Sequence, residues 1–226
     1  MQSTSSLQLS SENFWKKNMA KKRLIHSQDF PSEFTYKILK RDDKIFKIKN
    51  GLYLLKDCLE DATTLFYRHY WSIVVIILKK YELYSLERES ALRLYLDDES
   101  IPQTLFVRTK KNVGHTIPLP FNTKIMIRPD HAFHVNTRVQ RNIGGTPLFL
   151  DVPERVLLHS KIRSGVLFNA FVRGLVFNKP RLEMLYYANP KPITVKRIIL
   201  AAHILGNEDL AKQLKEIQRK HTIYRV

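Results

Sequence analysis

Between Lys44 and Lys56 the chain reads KIFKIKNGLYLLK, two short β-favouring runs separated by Asn50-Gly51. A two-residue type I′ turn needs positive φ at both central residues, and Asn-Gly is the strongest short-range signal for it. The stretch is therefore expected to be a β-hairpin. With that turn, Ile48 faces Tyr53 and Phe46 faces Leu55 on one side, while Lys47 and Lys49 project from the other. One face can then pack on neighbouring elements and the other can meet phosphate. A competing use of the lysines is to protect a strand edge from pairing with other chains.

Upstream, residues 1–10 are Ser/Gln-rich without apolar period and read as a disordered tail. From Ser11 the pattern SENFWKKNMAKK places Trp15 and Met19 four apart with Lys16, Lys17, Lys21 and Lys22 around them, and Arg23 follows. That reads as a short basic helix opened by a Ser cap. LIHSQDF fits neither period clearly. PSEFTYKILKRDD reads as a second helix, with Pro31 suited to the first turn and Phe34 and Ile38 turned inward. Its outward face would carry Ser32, Glu33, Tyr36, Lys37 and Lys40. Helix, connector, helix and basic hairpin is the order of a winged helix-turn-helix, expected over 11–57. In that arrangement Lys37, Lys40, Lys47 and Lys49 contact phosphates, Ser32, Glu33 and Tyr36 lie nearest the base edges, and Asn50 sits at the wing tip.

Charge supports a polyanionic partner. The 226 residues carry a formal +17, and the excess sits at the ends: residues 1–57 hold 12 basic and 6 acidic side chains, and residues 161–226 hold 13 and 4. The middle is nearly balanced, so nucleic acid touching the ends is the favoured partner class. The single cysteine, Cys58, excludes a disulfide framework and any zinc site built on several thiolates, suits a reducing cytosol, and is expected in the core. MQSTSSLQLSSENF lacks the apolar region of a secretory signal, and the longest apolar run, Ile73 to Leu78, is far too short to span a bilayer. A soluble, cytoplasmic protein without membrane contact is expected.

Residues 58–226 read as a mixed α+β domain with a helical carboxy-terminal part, making the whole chain α+β. Ile73 to Ile77 is strand-like by propensity, but its period does not separate helix from strand. Ser85 to Leu96 reads as helix. Three β-like runs follow, QTLFVRT at 103–109, TKIMIRP at 123–129 and AFHVNTR at 132–138, with Gly144-Gly145 as a turn, giving a small mixed sheet. Five helical stretches begin at Val152. The last is capped by Asn207, with Leu210, Leu214 and Ile217 on one face.

Catalytic readings fall short of a motif. Asp130, His131 and His134 suggest a metal site, but on a strand positions 131 and 134 point to opposite faces. Asp130 with Glu154 lacks the lysine of a metal-dependent nuclease. Gly144-Gly145 near Arg141 lacks the strand-to-helix glycine fingerprint, and no nucleophile elbow is present. No enzyme, metal or cofactor is expected.

Several pieces in order carry a family likeness: Gly51-Leu52-Tyr53 closing the hairpin, Ser90-Ala91-Leu92 within LYSLERESAL, Ile101-Pro102 within IPQTLFVRTKK, and Pro153-Glu154-Arg155 within DVPERVLLHS. From about 25 to 160 the chain resembles the AbiEi-type antitoxins, bacterial transcriptional regulators with an amino-terminal winged helix-turn-helix. The resemblance implies a non-enzymatic autorepressor that binds double-stranded operator DNA, as a homo-oligomer on an inverted repeat. It also implies a type IV toxin-antitoxin (abortive infection, phage defence) role, counteracting a nucleotidyltransferase-like toxin that it need not touch. The segment ahead of the hairpin departs from the family pattern in being short and lacking a clear Gly turn. A second reading is a protein-interaction module whose basic surface binds and neutralises an acidic partner such as a toxin.

Overall fold

The computed structural model describes residues 3–21, 23–110, 114–131, 134–159, 165–189 and 191–223. It is a mixed α+β protein with two sheets, and the chain divides into two compact units: residues 1–77 together with 117–124, and residues 78–116 together with 125–226.

In the first unit, α1 (Ser3–Lys21) leads into β1 (Leu24–His26) and a 3₁₀ turn (Ser27–Asp29). Then come α2 (Glu33–Arg41), β2 (Ile45–Lys49), β3 (Leu52–Leu55), α3 (Ala62–Arg68) and α4 (Tyr70–Leu78). Helix α1 begins at Ser3, inside the 1–10 stretch read as a disordered tail. Once a helix is nucleated each added residue gains a backbone bond, so Ser and Gln can extend it without an apolar face. The ambiguous LIHSQDF becomes β1 and the 3₁₀ turn. Strand β3 lies between β1 and β2, antiparallel to both.

The hairpin forms where Asn50-Gly51 puts it, with a different turn and register. Of that pair only Gly51 takes positive φ, +78°, so the turn is not type I′. Lys49 pairs with Leu52, Ile48 bulges out of the ladder, and beyond it Lys47 pairs with Tyr53, Phe46 with Leu54 and Ile45 with Leu55. The expected pairs Ile48–Tyr53 and Phe46–Leu55 are not made. The bulge shifts every pair beyond it by one residue. Tyr53 and Leu55 form a core with Ile25, against which Phe14, Trp15, Met19, Phe30, Tyr36 and Ile45 pack. Phe46 instead stacks on Phe121, at 5.8 Å between ring centroids. A Gly51→Ala variant should lose about 1 kcal/mol, read as a lower urea midpoint, because a left-handed backbone penalises any Cβ. The added carbon would meet Ser27 Oγ at an ordinary 3.4 Å, so an unchanged midpoint would show that the turn relaxes.

Helix α2 starts where its cap places it: the Ser32 side chain accepts from the Thr35 amide at 3.1 Å. Glu33 in the first turn and Lys40 and Arg41 in the last complement the helix dipole. Its buried residues are Thr35, Ile38 and Leu39, so the inward face is rotated from the expected Phe34–Ile38 stripe and Phe34 stays 38% exposed. The β-branched run at 73–77 is helical. Tyr70, Ile73, Val74, Ile77 and Leu78 are buried at helical spacing, and that packing outweighs strand propensity. Cys58 is exposed rather than in the core, its Sγ 3.3 Å from Asp57 Oδ1.

The second unit carries β4 (Tyr84–Leu86), α5 (Arg88–Tyr95), β5 (Thr104–Thr109), β8 (Arg138–Ile143), β9 (Thr146–Asp151) and most of β6 (His115–Pro118) and β7 (Lys124–Pro129), of which Ile117, Pro118 and Lys124 are counted with the first. The six strands lie in the order β6-β7-β5-β4-β9-β8, with β4 and β9 parallel, so the sheet is mixed as expected. Ser85 to Leu96 is not all helix, because its first residues pair in β4. The third expected run differs as well: Ala132 and Phe133 lie outside the described residues, Val135–Thr137 is a 3₁₀ turn, and the strand starts at Arg138. Gly144 and Gly145, at φ +51° and +76°, close the β8–β9 hairpin with Ile143 opposite Thr146. After β9 come α6 (Pro153–His159), α7 (Val166–Gly174), α8 (Lys179–Ala188), α9 (Pro192–Ile204) and α10 (Glu208–Ile223). Asn207 Oδ1 accepts from the Leu210 amide at 3.2 Å, and Leu210, Leu214 and Ile217 are fully buried.

Candidate nucleic-acid interface

The residues expected to meet DNA all belong to the first unit, and the fold sorts them. Lys17, Lys21, Lys40, Lys47 and Asn50 are exposed, and among the described residues no carboxylate pairs with the four lysines. Lys37 and Lys16 are exposed but paired, with Glu33 at 3.0 Å and Glu12 at 3.1 Å. Pairs this exposed contribute little and yield readily to a phosphate. Lys49 is half-buried beside the bulge. Arg23 is half-buried and bound to Glu60, which Arg68 also holds at 2.8 Å, so its charge is already engaged within the unit. Lys22 lies outside the described residues.

The base-reading residues are less uniform. Ser32 is committed as the α2 cap. Glu33 is exposed. Tyr36 is not on an open face: its ring packs 5.5 Å from Phe30 and 5.4 Å from Tyr53, centroid to centroid. Ser27, Phe30, Ser32, Glu33, Tyr36 and Tyr53 line one cleft of ≈ 330 Å³, an aromatic floor under a polar rim. Phe30 and Tyr53 were missed as site residues. The signal available was the aromatic content of QDFPSEFTY and GLY, which by itself says core as readily as stacking platform. Lys47, Lys49 and Asn50 border a second cleft of ≈ 510 Å³ with Ile117 to Pro120.

The catalytic candidates of the second unit are occupied by structure. Asp130 accepts from Arg108 Nη1 at 2.7 Å and from Arg155. Glu154 is buried, accepts from the Asn178 amide at 2.5 Å and lies 3.6 Å from Arg181. His131 and His134 are exposed, and among the described residues no group of three His, Cys, Asp or Glu side chains is placed to hold a metal. Arg141 donates to the Leu94 carbonyl at 2.6 Å, away from any glycine cradle. No helix among the described residues is long and apolar enough to cross a membrane.

The same unit holds a buried polar network that no local pattern announces. Arg108, 1% exposed, donates to Ser85 Oγ at 2.9 Å, to Asp151, to Asp130, and to the Thr137 carbonyl and hydroxyl at 3.1 and 2.9 Å. Burial pushes the Asp151 carboxyl up to about 6 against the pull of Arg108 and Ser85. Burial, with Arg155, Lys191 and Arg108 nearby and Asp130 opposing, pushes His159 down to about 4. The two act on stability with opposite signs. The unfolded chain protonates His159 near 6.5, so its contribution is present above that pH and lost as pH falls toward about 4. Asp151 contributes stability that is present below 3.8 and lost as pH rises through about 6. The wild-type profile should therefore be shallow in this window. A His159→Gln variant should instead grow less stable as pH rises, by about 3 kcal/mol from Asp151, with Glu87, whose carboxyl burial also raises, acting in the same direction. Parallel urea-midpoint profiles for the two proteins would refute the pairing of signs.

The chain matches no protein-family model and no curated protein.

Proposed function

We propose that this chain is a DNA-binding transcriptional autorepressor that serves as the antitoxin of an abortive-infection toxin-antitoxin pair. The observation that carries the DNA-binding half is the succession α1, β1, 3₁₀ turn, α2, β2, β3 with sheet order β1-β3-β2 and exposed lysines on both α2 and the hairpin. We read this succession as a winged helix-turn-helix, in which α2 would lie in the major groove and the β2–β3 wing against the backbone. The antitoxin half rests on the AbiEi-like order of NGLYLL, LYSLERESAL, IPQTLFVRTKK and DVPERVLLHS. The chain would act by recognition alone, on an operator ahead of its own gene, its functional partner a nucleotidyltransferase-like toxin. A footprint with purified protein on the DNA upstream of the gene tests this. Protection of an inverted repeat, lost steeply as salt rises, is expected, and uniform weak binding to any duplex would reject a sequence-specific repressor.

A direct protein-binding role has its own support. Helix α9 exposes Ile193, Leu200 and Ile204 at 71, 61 and 74% beside exposed Lys196 and Arg197, an apolar stripe edged by positive charge. A stoichiometric complex with the co-expressed toxin that survives nuclease treatment would favour neutralisation by contact.

A further inference from the structure

A cleft of ≈ 580 Å³ lies wholly within the second unit, within the size range of small-molecule sites. Its lining combines apolar side chains, from Pro129, Met184, Leu185 and Ala188, with basic ones. Arg108, Arg155 and Asp130 also line it, and the two arginines are offset by Asp130 and by Asp151, which lies behind the lining. The charge that remains comes from Arg88, which packs on the Phe106 ring at 5.4 Å, from Arg128 and from Lys191. Arg88 Nε and Arg128 Nη1 approach the same oxygen, Oε1 of Glu87, at 3.6 and 3.3 Å, and Lys191 adds an exposed ammonium. Glu87 is mostly buried and is the acid that holds Arg88 and Arg128. Each guanidinium carries five N–H donors in a planar fork, and one shared carboxylate oxygen at these distances leaves most of them available. Lys191 is also the residue at which α9 begins, so the positive end of that helix lies on the same side.

We propose that this cleft binds a small phosphorylated organic molecule, its phosphate held by Arg88, Arg128 and Lys191 and its organic part lying on Pro129, Met184 and Leu185. The fork of a guanidinium matches two phosphate oxygens, which a lone lysine patch cannot do, and the apolar lining distinguishes the ligand from inorganic phosphate. His159, which also lines the cleft, is neutral at physiological pH and can donate one ring N–H to the ligand. A bound phosphate beside it would offset Arg155, Lys191 and Arg108 and draw its titration upward. This site is separate in the chain from the proposed DNA-binding residues and does not depend on their role.

Calorimetry on the full chain, with AMP, inorganic phosphate and adenosine as probes, tests the proposal. AMP is expected to bind with a Kd below about 1 mM, with phosphate and adenosine each weaker by about tenfold or more. Arg128→Ala and Lys191→Ala should each weaken AMP by about tenfold, while Lys47→Ala in the first unit leaves it unchanged. The imidazole signals of His159 should titrate at higher pH with AMP present, an effect that a purely structural role of the arginines would not produce. The proposal is overturned if AMP does not bind, if phosphate alone binds as tightly, or if Lys47→Ala weakens AMP as much as the cleft variants do. Thermal melting within a few degrees of wild type, as expected for changes at half-exposed positions, would show that Arg128→Ala and Lys191→Ala fold. If either unfolds, the His159 shift in the wild-type chain decides alone.

Discussion

Replacing Lys40 and Lys47 together by alanine should cut affinity for the proposed operator on the order of 10²-fold at about 0.1 M salt, because every ammonium withdrawn from a phosphate forgoes the release of about one counterion. The slope of log affinity against log salt should fall by about two. These two lysines are chosen because both are exposed and, among the described residues, unpaired with any carboxylate, one on the last turn of α2 and one on the hairpin. Lys37 is the poorer probe, since its removal also leaves Glu33 as an uncompensated charge. Lys215→Ala, on the exposed side of α10, is expected to leave the slope as it was. An unchanged slope in the double variant would remove α2 and the wing from the DNA interface, and an equal loss for Lys215→Ala would reduce the effect to total charge.

The largest stability effect is expected at Arg108. Arg108→Met should cost about 3–5 kcal/mol, since it leaves Asp151, 2% exposed, with only Ser85 and the more distant Arg155 to hold its charge. Adding Asp151→Leu should restore part of that loss, because removing both members of a buried pair costs less than stranding one. Urea unfolding of the two single variants and the double variant closes the cycle. A loss under about 1 kcal/mol for Arg108→Met would mean that water reaches the network and that its burial is not what makes it matter.

The sequence reading and the fold agree best where the signal is local. Asn207 caps its helix because a short polar side chain reaches an amide three residues on, a relation contained within one turn, whereas Ser11, the other expected cap, lies inside α1 and Ser32, expected on the base-reading face, is the cap of α2. Asn50-Gly51 places the hairpin for a similar reason. The pairing beyond it was not legible. Leu52, Tyr53, Leu54 and Leu55 are all buried, so the apolar/polar alternation that normally sets register is absent from β3, and the bulge at Ile48 was free to move it. The run at 73–77 stays open between helix and strand in the sequence, because β-branched residues favour strands only weakly, and burial on one helical face decides it.

The site followed the same division. The lysines were found because charge on a helix face or hairpin is visible locally. Their standing was not: Arg23 is engaged by Glu60, and Tyr36 is folded into an aromatic cluster with Phe30 and Tyr53. The basic cleft of the second unit was not seen at all. Arg88, Arg128 and Lys191 come from three separate elements, and no spacing relates them.

By itself the sequence determined what depends on neighbours along the chain: an α+β composition, the hairpin at 44–56, the Asn207 cap and apolar face of the last helix, and the concentration of positive charge at the ends. The tertiary structure alone decided the register of the hairpin, the helical state of 73–77, the exposure of Cys58, and which charges are engaged and which stand open to solvent. An ion pair such as Arg108–Asp151 or Arg23–Glu60 joins residues far apart in sequence, and burial sets its strength. Neither the partner nor the burial exists until the elements have packed.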